Sequence, residues 1–250
     1  MKILCVADQI DPVVYSSAAK DRFKDIDAVL CAGDLPMDYI DFIVSTLNKP
    51  TFFIFGNHNL KEFSYYHKPQ GGAVTAAFTP EKAGIEASGM SQSHGADYAG
   101  FKVIRAKNLL VTDPVTGKTT PLLIAGISGS IKYNNGVNQY SDREMKIKLL
   151  RMWPKLLANK WHYGRYLDIL LTHAAPRHIH DLEDPCHKGF ESFNWFINKF
   201  KPTWMVHGHI HIYDSRTPRL TVVGKTNIVN AFGYYIIEIP VLPAAEEKKN

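Results

Sequence analysis

Cysteine is scarce in this chain. Its three residues, Cys5, Cys31 and Cys186, are an odd number without metal-ligand spacing, and Cys5 and Cys31 lie inside apolar strand candidates. They read as buried reduced thiols, not as a disulfide framework. Long apolar runs are also missing. None approaches the ~20 residues that a membrane-spanning helix needs, so no membrane partner is expected. The opening MKILCVAD runs straight into a candidate site residue, which argues against a cleaved signal and for a cytoplasmic location. Basic blocks are absent too: the net charge is +5, yet lysine and arginine are spread along the chain. A nucleic-acid partner is therefore disfavoured, while a mild positive excess helps attract a small phosphorylated substrate. No internal repeat and no dividing linker is visible.

What remains is a chain of 250 residues, 45% hydrophobic and 21% charged, enough for one large domain or two small ones. Residues 2 to 7, 27–32 and 51–55 read as strands. Between them, one helix capped by Ser16 or Ser17 runs to about Lys24, and another spans Met37 to Leu47. The opening third is thus β-α-β-α-β, which implies a parallel sheet core. FKVIRA and NLLVTD read as two strands, and Asp113 to Gly117 as a turn into PLLIAGI, a meander that predicts a second, more antiparallel sheet. A helix over about Asp142 to Asn159 has Ser141 as N-cap and Pro154 bending it. Strands follow near 167–171, 203–207, 219–224, 226–231 and 233–239, with Phe190, Phe193, Phe196 and Phe200 forming one face of a helix over 189–200. The expected organisation is a single domain over 1–240 with a Gly-rich, lid-like insertion at about 61–100, then a solvated tail over 241–250.

Five of these apolar runs end in Asp, Asn or His. They deliver Asp8, Gly33-Asp34, Gly56-Asn57-His58, Thr172-His173 and Gly208-His209-Ile210-His211. Open α/β sheets bind ligands at the carboxyl ends of their strands, so one site is being built from five places. Carboxylate, amide and imidazole without Cys suit divalent Mn, Fe, Co or Zn. Two such ions about 3.5–4 Å apart can hold both oxygens of a phosphoryl displacement and supply hydroxide near neutral pH. Asp34, in a tight Gly-Asp turn, is the best candidate for a bridge. In the last block an extended backbone would point His209 and His211 to one side, with Gly208 allowing close approach.

These blocks, in this order, resemble the calcineurin-like metallophosphoesterase superfamily, whose pattern runs D-x-H, G-D, G-N-H-[DE], [ST]-H and G-H-x-H. Four of five match, and together they cover residues 2 to about 212. The resemblance implies a four-layer α/β/β/α sandwich of two mixed sheets carrying a dinuclear metal centre. It implies that Asp8, Asp34 and His211 hold one metal and that Asp34, Asn57, His173 and His209 hold the other. Asn57 and His58 would then meet the substrate, with His58 as general acid.

Two departures matter. Ile10 stands where the pattern places a histidine ligand, so the first metal lacks a donor and its site is expected to be weak or partly occupied. Asp11, Gln9 or solvent are candidate replacements, and DQIDP also resembles a small-protein subgroup with a D-E-x-D-P block. Asn59 replaces an acidic residue that would orient His58. Arg177 is a candidate phosphate contact or a plain surface arginine, the Gly126–Ser130 loop a candidate anion cradle, and His207 a packing residue. The function expected is metal-dependent hydrolysis of a phosphoric ester on a small molecule, by a phosphodiesterase or phosphatase. The alternatives are a catalytically weak scaffold on the same fold and a nuclease.

Overall fold

The structure is a computed structural model that describes residues 1–67, 95–112, 117–214 and 216–240. In chain order the elements are β1 (Lys2–Ala7), α1 (Ala19–Arg22), β2 (Ala28–Cys31), α2 (Met37–Leu47), β3 (Thr51–Phe53), α3 (Phe63–Tyr66) and β4 (Asp97–Tyr98). There follow β5 (Lys102–Thr112), β6 (Thr119–Ile127), β7 (Ser130–Ile131), β8 (Gln139–Tyr140), α4 (Asp142–Tyr163), β9 (Ile169–Thr172) and α5 (Glu191–Phe200). The last are β10 (Trp204–His207), β11 (Leu220–Val223), β12 (Thr226–Asn230) and β13 (Gly233–Glu238).

Period-two alternation in strands buried on both faces explains the layering. Along β1, Ile3, Cys5 and Ala7 enter one buried cluster while Leu4 and Val6 enter another. The first cluster lies between two sheets, joining these residues and Leu30 to Leu122, Ile124, Val206 and Val229. The second joins the outer face of the first sheet to α1 and α2 through Ala19, Ile40 and Ile43. A third joins the outer face of the second sheet, Leu123 and Leu170 among it, to Met145 and Leu149 of α4 and Phe193 and Phe196 of α5. The result is the expected α/β/β/α sandwich. One sheet runs β13-β1-β2-β3-β4 and the other β11-β12-β10-β9-β6-β5.

Several details differ from the expectation. The second sheet is more antiparallel than the first, as expected, but only at its outer pairs, β5–β6 and β11–β12; β6–β9, β9–β10 and β10–β12 pair in parallel. Its inner strands are buried runs, β9 and β10 being joined by a helical crossover, which is parallel-sheet chemistry. FKVIRA and NLLVTD form one strand, β5, whose register shifts between Ala106 and Leu110. Helix α1 is a single turn with Ala18 at its N-cap, because the Ser16 hydroxyl donates to the Val13 carbonyl instead of capping. Helix α4 runs past Pro154 to Tyr163, opened by a Ser141–Glu144 capping box and closed by Gly164 in the left-handed region. The turn at 113–116, most of the insertion (68–94) and the tail (241–250) lie outside the described residues.

Strands β1, β2 and β3 are mutually parallel in one sheet, as β9 and β10 are in the other. Their carboxyl ends meet at one edge of the sandwich, where Asp8 N–H donates to Gly33 O and Gly208 N–H to His173 O.

Candidate metal centre

The residues that leave these strand ends turn sharply. Asp8, Asp34 and His209 all have φ in the left-handed region, at 68°, 55° and 71°. Such backbone costs of order 1–3 kcal/mol per residue and persists where surrounding structure over-determines it. Here the surroundings do so. The Asp34 carboxylate accepts the His58 N–H at 2.7 Å, the Asn59 amide donates to the Asp34 carbonyl at 2.9 Å, and the Asp8 carboxylate accepts the His209 N–H. Two glycines permit the close approach. A Cβ on Gly56 would fall 2.6 Å from His173 Cε1, and one on Gly208 would fall 2.5 Å from Asp8 Oδ2.

The protons on the histidines follow from their partners. His173 Nδ1 lies 2.9 Å from Ala32 O, and a carbonyl only accepts, so Nδ1 carries a hydrogen. In the neutral ring Nε2 is then a bare lone pair, yet it faces Asp34 Oδ2 at 3.2 Å and Asn57 Oδ1 at 3.1 Å. Asn57 Nδ2 meanwhile donates to the Tyr133 hydroxyl at 3.2 Å, with Oδ1 on the His173 side. Three acceptors thus point at one another. A cation resolves that conflict; without one the ring must take a proton. His173 accordingly rises to about 9, burial opposing the shift and Asp34 and Asp8 driving it. Burial would raise the Asp34 carboxyl, but His173 and the His58 N–H hold it well below the usual range.

His209 joins the group from the other side. Its Nε2 lies 2.7 Å from Cys186 O, so Nε2 carries the hydrogen and Nδ1 is the free donor atom. Burial first, and then the charge of His173, lower its pKa to about 3, which keeps the ring in the neutral, ligating form. Ligand atoms of Asp34, His173 and His209 lie within 4.8 Å of one another, all three residues buried. With Asn57 Oδ1 this is a borderline-metal donor set, and the residues fit a divalent ion.

Not every expected residue enters that convergence. His211 is exposed, hydrogen-bonds Tyr213 at 3.0 Å and stacks on Phe232, because β10 ends at His207 and the left-handed turn at His209 breaks the extended run that was to align the two rings. Asp8 is buried beside His209, with His173 Nδ1 4.0 Å away; burial raises its carboxyl to about 6. His58 is exposed, and its ring makes no hydrogen bond among the described residues. Ile10 is 47% exposed. Asp11 spends one carboxylate oxygen capping the turn at Val13, at 2.8 Å, and its carbonyl accepts from Val14 and Tyr15.

The Arg177 and Gly126–Ser130 candidates are corrected outright. Arg177 is neither a surface residue nor free for phosphate: it is buried, with Asp181 at 2.6 Å and Glu183 at 2.7 Å. The Gly126–Ser130 loop uses its Gly129 N–H on Phe55 O and its Ser128 hydroxyl on the Phe55 N–H. His207 is fully buried and hydrogen-bonds His180 at 3.0 Å, a packing role. Cys5 and Cys31 are buried free thiols, whereas Cys186 is half-buried with its Sγ 2.9 Å from Asp184 Oδ1. Tyr133 and the Cys186 carbonyl escaped sequence reasoning, since a tyrosine in a loop and a backbone carbonyl carry no motif.

A model of the family described as calcineurin-like phosphoesterase matches residues 1–213. The chain belongs to this family. It is therefore a hydrolase of phosphoric esters, a family that implies divalent metal, and a buried Asp34, His173 and His209 group is present among the described residues. No curated protein matches this phosphoesterase. Among solved structures it is similar to TT1561 of Thermus thermophilus, at 14% identity and a TM-score of 0.54, over 92% of this chain and 88% of that one. It is also similar to the calcineurin-like phosphoesterase YfkN from Bacillus subtilis, at 12% identity and a TM-score of 0.46, over 92% and 80% of the two chains. The first likeness is one of fold. No helix among the described residues of this phosphoesterase is long and apolar enough to cross a membrane.

Proposed function

We propose that this phosphoesterase cleaves a small phosphorylated molecule, a monoester or diester, at a dinuclear centre held by Asp8, Asp34, Asn57, His173, His209 and His211. The observation that carries the reading is the convergence of His173 Nε2, Asp34 Oδ2 and Asn57 Oδ1 at 3.1 to 3.2 Å, a set of lone pairs that a bound cation satisfies. Ions of the Mn, Fe, Co or Zn type supply Lewis acidity toward phosphoryl oxygens and activate water at neutral pH. The chain's own groups do the rest. Asn57 gives one amide hydrogen to Tyr133, which leaves the second to meet a phosphoryl oxygen as charge develops. His58, exposed beside Asp34, donates a proton to the departing oxygen. The free thiols fit a reducing compartment such as the cytoplasm.

The test compares hydrolysis of bis(p-nitrophenyl) phosphate and p-nitrophenyl phosphate with Mn²⁺, Co²⁺ or Zn²⁺, alongside metal content per chain. Turnover of either ester with two ions bound is expected, and Asp34→Ala should lose metal and turnover together. No hydrolysis with any of these ions would overturn the reading.

A further inference from the structure

The loop that carries Cys186 does more than hold His209. Its backbone is fastened at several points: the Arg177 guanidinium pairs with Asp181 and Glu183, and Asp181 also accepts the Gly189 N–H at 2.9 Å. At the loop's tip Asp184 Oδ1 accepts the N–H groups of Cys186 and His187, at 3.2 and 3.1 Å. The same carboxylate faces His187 Nδ1 through both oxygens, at 2.9 and 3.0 Å. A carboxylate only accepts, so Nδ1 carries the hydrogen, and in the neutral ring Nε2 is then a bare lone pair. No described residue hydrogen-bonds that Nε2. The ring stands 5.2 Å, centre to centre, from the ring of His209.

A carboxylate on one imidazole nitrogen with the other nitrogen free is the arrangement that orients and strengthens a metal-ligating histidine. His209 also donates its backbone N–H to the Asp8 carboxylate at 2.9 and 3.0 Å, and the metal position of Asp8 is the one short of a donor, with a hydrocarbon side chain at Ile10 and one oxygen of Asp11 already committed. From these contacts we infer that His187, oriented by Asp184, is the protein ligand that stands in for the histidine absent at position 10. This rests on the dinuclear reading above. Asp184 itself, already accepting from two N–H groups and a thiol, serves as the orienting group and not as a ligand.

Metal binding, not turnover, tests this. The full chain is stripped with chelator and titrated with Mn²⁺ by calorimetry, with ions per chain counted by elemental analysis and the Co²⁺ form followed by visible absorption. The expected result is two ions in the unaltered protein, one in His187→Ala with a changed Co²⁺ spectrum, and two in Asp184→Asn with the weaker ion bound about 10–100-fold less tightly. His58→Ala should keep both ions. If His187→Ala keeps two ions at unchanged affinity, His187 is not a ligand, whatever happens to KM. If His187→Ala loses both ions through misfolding, Asp184→Asn decides: selective weakening of one ion supports the assignment, and equal affinity for both overturns it. Failure of the unaltered protein to bind two ions would instead defeat the dinuclear reading, and this assignment with it.

Discussion

His209 donates its backbone N–H to both carboxylate oxygens of Asp8, at 2.9 and 3.0 Å, across 201 positions of sequence. One residue ends a strand of the first sheet and the other follows a strand of the second, so this contact fixes how the two halves of the candidate centre face each other.

Gly208 sits inside that contact. A Cβ there would lie 2.5 Å from Asp8 Oδ2 and 2.6 Å from Ala7 Cβ. Overpacking of this kind costs about 1–3 kcal/mol, and each kcal/mol moves Tm by roughly 2–4 °C in a protein of this size. Gly208→Ala should therefore melt several degrees lower and bind metal more weakly. An unchanged melting curve and metal isotherm would show that Asp8 moves aside freely.

His58 offers a cleaner dissection. Its backbone N–H holds Asp34, while its exposed ring makes no hydrogen bond among the described residues. His58→Ala keeps the backbone donor, so the ions and Tm should be retained while turnover falls about 100- to 10,000-fold, the span of general acid catalysis. Wild-type rates would remove His58 from the chemistry.

The Tyr133 hydroxyl accepts from Asn57 Nδ2 while Asn57 Oδ1 faces His173. Tyr133→Phe deletes that hydrogen bond, so the Asn57 amide is held in place less firmly. Metal affinity should drop about 10–100-fold, as for other groups that orient ligands. Titration of the stripped protein checks it.

Acid should destabilise the metal-free protein. His207 and His209 have folded values of about 3, against 6.5 for the free side chain, chiefly through burial. Between those values the unfolded chain binds more protons, so stability rises with pH and is lost as pH falls from 6.5 toward 3. Asp8 acts oppositely between 3.8 and about 6, but it is one group against two. His173, raised to about 9, removes stability as pH climbs above 6.5. Melting temperatures from pH 4.5 to 8.5 should peak near pH 6.5. A flat profile would contradict the burial of these rings in the stripped protein.

Sequence by itself determined the layers and the donors. KILCVA, DAVLCA and LDILL are largely apolar on both faces, as a strand buried on both sides requires; Asp8, Asp34 and His173 then follow because strand ends of a parallel sheet open onto one edge. Tertiary structure decided what those donors do. The tautomers of His173 and His209 depend on the carbonyls of Ala32 and Cys186, and Asn57 spends an amide hydrogen on Tyr133. Arg177, legible only as a positive charge, became a loop anchor once Asp181 and Glu183 were in place. His211 stacks on Phe232 and hydrogen-bonds Tyr213 because a left-handed turn at His209 broke the alternation that sequence spacing assumed. Such outcomes rest on backbone groups and on contacts between distant segments. Neither has a signature in the order of side chains, since hydrogen-bond direction is set by which atoms folding brings within ~3 Å.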